Sequence, residues 1–369
     1  MAHIVMVLKS DIRYDGRVRK EIRTLVEADH RVELVVSDYD KSGTGGEDLG
    51  VNVHYIPMTI WPSASRNLLE QFLFNRTATS IIQQIQPSHI HCHDLTTLFA
   101  GAGAKDKVKA RLVFDAHELK PERMNGLKRK MWNLVESRFI SKCDYIIMPE
   151  KNRIAYFKQK YKNVSKVLLL QNFPRKSEIP IEDKGLFQRR YPISKEQKII
   201  LYTGRIAPER YIEELIDSMS ICSNDFVLII LGRSSKEYET VLYEQIQQRG
   251  LANRVFLHDP VPHAEIMRYM AACDIGTAFY RNTGLNSFYC ASNKLYEYIA
   301  LGKAVVTNNY PGLLETVEHF RQGVCLADIT PRDLAESYIR ASNPAYVTPG
   351  ARKFFWEDEQ DVLTQLYEK

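Results

Sequence analysis

Residues 4–36, IVMVLKSDIRYDGRVRKEIRTLVEADHRVELVV, describe one complete supersecondary unit. IVMVL is an unbroken apolar run of the kind found in parallel strands buried on both faces. A polar loop from Lys9 to Gly16 follows, and then Val18, Ile22, Leu25 and Val26 recur at helical spacing. After Asp29-His30 a second apolar run, Val32–Val36, completes a βαβ opening. Parallel strands joined by a crossover helix set the class as α/β with a mainly parallel sheet.

The same alternation continues. Residues 51–56 form a third strand pattern, Leu68 to Ile85 a long amphipathic helix, and HIHCHD (89–94) a strand with a polar tip. Strands at Leu112–Phe114 and Tyr145–Met148 flank a helix from about Leu127 to Ser141. The pattern restarts at Val167–Leu170 and Asn172-Phe173-Pro174. Residues 175–198 are rich in charge and proline with little periodicity, as in a linker. Beyond it Ile199–Tyr202, Phe226–Leu231, Val255–Leu257, Ile275–Ala278 and Ala304–Thr307 are short strands spaced by helical patterns. The expectation is two Rossmann-like domains, 1–174 and 199–353, facing across a cleft, with the ligand at the strands' carboxyl ends.

A chain of 369 residues, 44% hydrophobic and 26% charged, has the composition of a soluble globular protein. No run approaches the roughly 18 apolar residues of a spanning helix. The N-terminal apolar run lacks a basic leader and a small-residue cleavage site, so a core strand and a cytoplasmic setting are expected. Six cysteines without a CxxC fit reduced core thiols. The net charge of +5 is uneven: residues 1–173 carry 27 Lys+Arg against 19 Asp+Glu, and residues 174–369 carry 23 against 26. Basic residues gather at Arg13, Arg17, Arg19, Lys20 and Arg23, at Lys105, Lys107, Lys109 and Arg111, and at Arg123, Lys128, Arg129 and Lys130. Such a face could attract an anionic membrane surface, a phosphorylated acceptor or nucleic acid, of which nucleic acid is not the expected partner.

Chemistry concentrates at the predicted strand ends. Tyr202-Thr203-Gly204-Arg205 closes the first strand of the second half, and Arg210 precedes a helix at Ile212–Ser218. Gly204 permits close backbone approach, and two guanidinium groups match the oxygens of a diphosphate. Gly232-Arg233 and Pro260-Val261 end two further strands, where their backbone groups can meet a nucleobase. In LNSFYCASNKLYEYIALGKAVV (285–306) a helix opens near Ser292-Asn293-Lys294, carries Glu297, and stops at Gly302. Its first turn suits phosphate oxygens, and Glu297 suits the hydroxyls of a ribose. In the first half, His117 and Glu118 of DAHE follow a strand and are placed for hydrogen bonding to a sugar or for proton transfer. His91, His93 and Asp94 have a spacing that can ligate zinc, but polar edge packing explains them as well. Asp38-Tyr39-Asp40 resembles a metal-nucleotide Asp-x-Asp but lies in the other half from the phosphate-binding candidates. The Gly-x-Gly-x-x-Gly dinucleotide fingerprint follows neither first strand, which argues against a dehydrogenase.

Together these residues resemble the glycosyltransferases of the GT-B fold, most closely family 4. The resemblance rests on DGRVRKEIRTL (15–25), DAHEL (115–119), QNFP (171–174), YTGRIAPERYIEELI (202–216), ASNKLYEYIALGKAVV (291–306) and FFWEDEQDVLTQLY (354–367). It implies a transferase that takes a nucleotide diphosphate sugar and uses no metal or other cofactor. Arg205 and Arg210 match the family's cationic pair on the donor diphosphate, Glu297 matches the glutamate on the donor ribose, and His117 matches a histidine near the reacting sugar carbon. Residues Lys9–Arg17, including Asp15, Gly16 and Arg17, correspond to a loop near the acceptor, and residues 354–369 to a helix that crosses back onto the first domain. Eight residues before Glu297 stands Tyr289, where the family has its first motif glutamate. The resemblance implies a retaining enzyme; an inverting one would draw its base from Asp15, His117 or Glu118. A lipid-linked or cell-surface glycan precursor is the expected acceptor, at the inner face of a membrane. A nucleotide-sugar epimerase and a catalytically silent donor-binding subunit are the alternatives.

Overall fold

The computed structural model describes residues 1–58, 64–162, 164, 166–344 and 353–368, with the side chains of 64–68 left aside. The chain forms two compact units, Met1–Gln171 with Glu357–Lys369, and Asn172–Trp356.

The first unit holds strands β1 (His3–Leu8), β2 (Arg31–Asp38), β3 (Asn52–Pro57), β4 (His89–His93), β5 (Arg111–Asp115), β6 (Tyr145–Met148) and β7 (Lys166–Leu169). They make a seven-stranded sheet in the order β3-β2-β1-β4-β5-β6-β7, parallel throughout. Its helices are α1 (Gly16–Glu27), α2 (Ala64–Ile85), α3 (Leu98–Val108), α4 (Gly126–Ile140) and α5 (Lys151–Lys160). The sequential strands β1 to β3 grow the sheet one way and β4 to β7 the other, so the order reverses between β1 and β4. Ligands of open α/β sheets bind at the carboxyl ends beside such a reversal.

The second unit contains β8 (Lys198–Thr203), β9 (Phe226–Leu231), β10 (Val255–His258), β11 (Ile275–Ala278), β12 (Ala304–Asn308) and β13 (Gly323–Leu326). The parallel order is β10-β9-β8-β11-β12-β13, and the reversal lies between β8 and β11. Helices α6 (Ile212–Ser218), α7 (Lys236–Gln248), α8 (Ile266–Ala271), α9 (Leu285–Phe288), α10 (Asn293–Leu301), α11 (Pro311–Phe320) and α12 (Pro331–Ala341) connect them. β8 and β9 are buried almost end to end, which is why they appear as continuous apolar runs.

Three expectations change. Residues 175–198 are no solvated linker: Phe187 and Ile193 are buried in the second core, so the charged stretch packs through these apolar residues. The C-terminal segment is not one helix. A 3₁₀ turn, Trp356–Asp358, precedes a single helical turn, α13 (Asp361–Thr364), and the segment is held by buried Trp356, Leu363, Leu366 and Tyr367. Isolated helices this short do not sustain themselves, so tertiary anchors set the conformation. HIHCH is no polar tip either. β4 lies between β1 and β5 and all five of its residues are buried, so its histidines belong to the interior and not to an edge.

Candidate functional site

In the second unit the candidate residues meet at the carboxyl ends of β8, β9 and β10. Gly204 follows β8 with φ +115°, a conformation that favours glycine. Its amide donates to the Leu231 carbonyl at 3.0 Å, and the amide of Ile206 donates to the Arg233 carbonyl at 2.9 Å. These bonds stitch the two strand exits together. A Cβ at Gly232 would lie 1.7 Å from the Gly204 oxygen, so glycine is required there for the approach. The stitched loops border an open cavity of about 350 Å³ lined by Arg205, Ile206, Ala207, Pro208, Arg233, Ser234, Ser235 and Tyr238. The helix α7 starts at this cavity, capped by Ser235, whose hydroxyl accepts from the Tyr238 amide. Pro260 and Val261 follow β10 at the same end of the sheet; Pro260 is exposed and Val261 packs partly on the core.

A second cationic group stands behind the β8 exit. Ser292 caps α10 by accepting from the Leu295 amide at 3.2 Å, and Gly302 ends the helix with φ +71°. Lys294, in the first turn, donates Nζ to the Thr203 carbonyl at 2.9 Å and lies 4.5 Å from the centre of the Tyr202 ring. Arg210 stacks over Tyr280, 4.7 Å from the ring centre. Burial and the nearby Arg210 guanidinium push the Lys294 ammonium down to about 7, although Glu297 opposes the shift. The surroundings of this lysine therefore favour loss of its charge near neutrality.

The structure places Arg205 and Arg233 in the cavity lining, with Gly204 and Gly232 at the strand exits next to them, and Arg210, Lys294, Ser292 and Glu297 around Tyr280 and α10. Arg205 is largely exposed and only loosely paired with Glu209 at 3.5 Å, so its guanidinium is accessible. Asn293 is exposed and accepts from Asn172 at 3.0 Å. Ser292 departs from expectation as a phosphate ligand. It is buried, and its hydroxyl is shared between the Leu295 amide and Tyr280 Oη at 2.6 Å. Tyr280 and Arg281 were not anticipated. Arg281 bonds the Pro208 carbonyl at 2.9 Å and Glu214 at 2.6 Å, and so holds the loop between Arg205 and Arg210. Their place just past a predicted strand, Ile275–Ala278, was the one available hint.

In the first unit His117 follows β5. Its Nε2 donates to Asp115 Oδ2 at 2.8 Å, and Nδ1 lies 3.7 Å from Asp94. Burial opposes its charge, but the two carboxylates prevail and raise it to about 10, so it is an imidazolium at neutral pH. Asp115 is buried; burial alone would raise its carboxyl, yet Arg17 and His117 hold it well below the usual range. Arg17 departs from expectation. It is 5% exposed, grips Asp115 through Nε (2.8 Å) and Nη2 (2.9 Å), and gives Nη1 to the Leu170 carbonyl at 3.0 Å. A guanidinium so enclosed props β5 and β7 and does not touch an acceptor. Asp15 caps α1 by accepting from the Val18 amide at 3.1 Å, and Glu118 pairs with Arg123 and with Lys120 at 3.4 Å. Gly16, the first residue of α1, is exposed and has open space where a side chain would stand.

The basic first half is also less of a face than its sequence suggests. Arg17 and Lys20 are buried, Arg13 pairs with Asp11 and Asp40, and Arg19 and Arg23 pair with Asp48. Lys107, Lys109 and Arg111 stay exposed, as do basic residues of α4, Lys128 and Lys130 among them, beside Leu127 (82% exposed) and Leu134 (71%). Among the described residues no helix is long and apolar enough to cross a membrane.

Comparison with known proteins matches residues 16–159 to the glycosyl transferase 4-like domain and residues 183–344 to glycosyl transferases group 1. An uncharacterized glycosyltransferase of Methanocaldococcus jannaschii, MJ1607, is 23% identical over 360 residues, covering 90% of this chain and 87% of its own. Among solved structures, HepE of Anabaena in complex with UDP superposes with a TM-score of 0.74 at 18% identity, covering 99% of this chain and 95% of that one. A putative UDP-N-acetylglucosamine 2-epimerase from Listeria monocytogenes gives 0.63 at 12% identity, covering 100% and 91%.

Proposed function

The chain belongs to the glycosyltransferases of the GT-B fold, resembling family 4, and from this premise we propose that it moves a sugar from a nucleoside diphosphate sugar to an acceptor hydroxyl without metal assistance. The observation that carries the reading is the set of cations at the second sheet's carboxyl ends. Arg205, Arg210 and Lys294 surround strand exits whose glycines let backbone approach a ligand. Together they offset the charge that develops on a departing diphosphate. Gly232, Arg233, Pro260 and Val261 flank the base, Asn293 the phosphates, and Glu297 the ribose. His117 supplies an imidazolium for the donor sugar's hydroxyls. The solved complexes of HepE with UDP and UDP-glucose make a uridine donor the first to test.

Retention of anomeric configuration is the stereochemistry we favour. An inverting path needs a free general base, and the candidates are engaged: Asp15 caps a helix, His117 is protonated, and Glu118 is paired. For the acceptor we favour a lipid-linked or cell-surface glycan precursor in polysaccharide synthesis, met at the cytoplasmic face of a membrane. Exposed Leu127 and Leu134, one heptad apart on α4 with lysines beside them, suit peripheral binding to anionic lipid. Sedimentation with anionic vesicles at low salt tests this, and no binding would remove the membrane from the proposal.

The decisive experiment is turnover of a nucleotide-sugar panel by Arg205→Ala/Arg210→Ala, with and without a lipid-linked acceptor, followed by NMR of the product anomer. Transfer should disappear while thermal unfolding stays close to that of the parent. Normal turnover by the double variant would sink the assignment. Donor conversion without any acceptor favours the epimerase reading, whose representatives share the fold. Donor binding without turnover favours a silent subunit, a reading that Tyr289 motivates.

A further inference from the structure

Beneath His117 the first unit encloses a set of side chains that sugar transfer does not use. Glu21 of α1, His91 and His93 of β4 and Asp115 of β5 are all 0% exposed. One donor atom from each lies within 4.8 Å of the other three. The two imidazoles stack at 4.4 Å, with a 25° angle between their planes. Each has its Nδ1 engaged: His91 Nδ1 by Tyr367 Oη at 2.8 Å, His93 Nδ1 by His117 Nε2 at 3.2 Å and Asp115 at 3.4 Å. Each Nε2 and Glu21 Oε2 find no hydrogen-bond partner among the described residues, and Glu21 Oε1 has only the ion pair with Arg17 Nε at 3.0 Å. Three such polar atoms in a dry interior are costly unless something binds them.

We propose that Glu21, His91, His93 and Asp115 bind a structural zinc ion. The donors are neutral imidazole nitrogens and carboxylate oxygens, with no thiolate, a set that zinc accepts in tetrahedral geometry. Bonds of about 2.0–2.2 Å place tetrahedral ligands roughly 3.3 Å apart. His91 Nε2 already stands 3.5 Å from Glu21 Oε2, so the site closes with small side-chain movements. The engaged Nδ1 atoms are what metal-bound histidines show, since a partner on one ring nitrogen fixes the other for the metal. Arg17 lies 3.0 Å from Glu21 and pairs with Asp115, yet it bonds neither imidazole. With the His117 imidazolium on Asp115 it offsets the two carboxylate charges, so the two imidazole nitrogens, and not an excess of negative charge, are what a metal would find. A proton shared by Glu21 and His91 would leave His93 Nε2 without a partner, where a metal would engage both imidazoles and one Glu21 oxygen. The ion would tie α1 to β4 and β5 and, through Tyr367, to the C-terminal segment.

Because the site is sealed, the full-length protein is unfolded and refolded with zinc, washed with chelator, and its bound metal measured by mass spectrometry. About one zinc per chain is expected, together with a higher unfolding temperature than for protein refolded with chelator. Refolding with cobalt should give the visible bands of a tetrahedral N/O site, a readout that needs no variant. His93→Gln and Glu21→Gln, checked for folding by circular dichroism, should each hold zinc at least tenfold more weakly. Parent protein that keeps no zinc and shows no cobalt bands, or folded variants that bind as tightly as the parent, would overturn the proposal. These readouts are independent of sugar transfer.

Discussion

Lys294 allows the donor-site reading to be tested without an acceptor. Its ammonium is depressed to about 7 because it is half-buried and faces Arg210, while Nζ is fixed on the Thr203 carbonyl. In the ligand-free protein it is about half charged at pH 7 and about one-tenth charged at pH 8. A diphosphate placed against Arg205 and Arg210 favours the charged form and returns the lysine toward its ordinary range near 10. The sign follows: the ligand prefers the protonated protein, so binding takes up protons and weakens as pH rises through 7. Uptake should be about half a proton at pH 7 and about nine-tenths at pH 8, with affinity falling about fivefold over that interval. UDP-glucose is a suitable probe because its diphosphate diester has no proton of its own to exchange there. Calorimetry at pH 8 in two buffers of different ionisation enthalpy measures the uptake directly. Lys294→Met should abolish it. Equal heats in both buffers for the parent protein would show that the diphosphate does not reach Lys294, and the donor site would have to be placed elsewhere.

Two further outcomes follow from the packing. Gly232→Ala places a methyl group 1.7 Å from the Gly204 oxygen, so the β8 and β9 exits must part, at a cost of about 3 kcal/mol or more; thermal unfolding should fall by several degrees and UDP titration should show no binding. Arg17→Met leaves Asp115 buried beside His117 without its guanidinium, which should destabilise the first unit by about 3–5 kcal/mol in urea unfolding, while UDP affinity, set by residues of the second unit, stays within about twofold of the parent.

Legibility in the sequence followed burial. Strands such as IVMVL and FVLIIL are enclosed on both faces, so their apolar runs are continuous and their positions could be assigned almost to the residue. β13, GVCL, escaped because its burial alternates and glycine and cysteine dilute the pattern. The cap Ser292 and the stop Gly302 bracket α10 by local chemistry alone, so that helix was visible without any tertiary information. Arg281 and Tyr280 were not visible, since only the placement of β11 beside β8 brings them to the arginine loop. Arg17 was misplaced for a related reason: a charge beside a glycine in a polar loop suggests solvent, and its partner Asp115 is 98 residues away.

The cationic residues show what counting charge leaves out. The first half carries the larger excess of lysine and arginine, yet Arg13, Arg17, Arg19 and Arg23 are consumed by carboxylates of the same unit. The second half carries a net acidic count, yet it holds Arg205 exposed and Arg210 and Lys294 against aromatic rings at one end of its sheet. An anion responds to the local field and to the desolvation already suffered by the cations around it, not to the sum over a domain. Lys294, discharged near pH 7 by its own surroundings, has the most to gain from a diphosphate. Proton uptake on UDP-glucose binding, lost in Lys294→Met, would therefore mark it off from the many solvated lysines on the same chain.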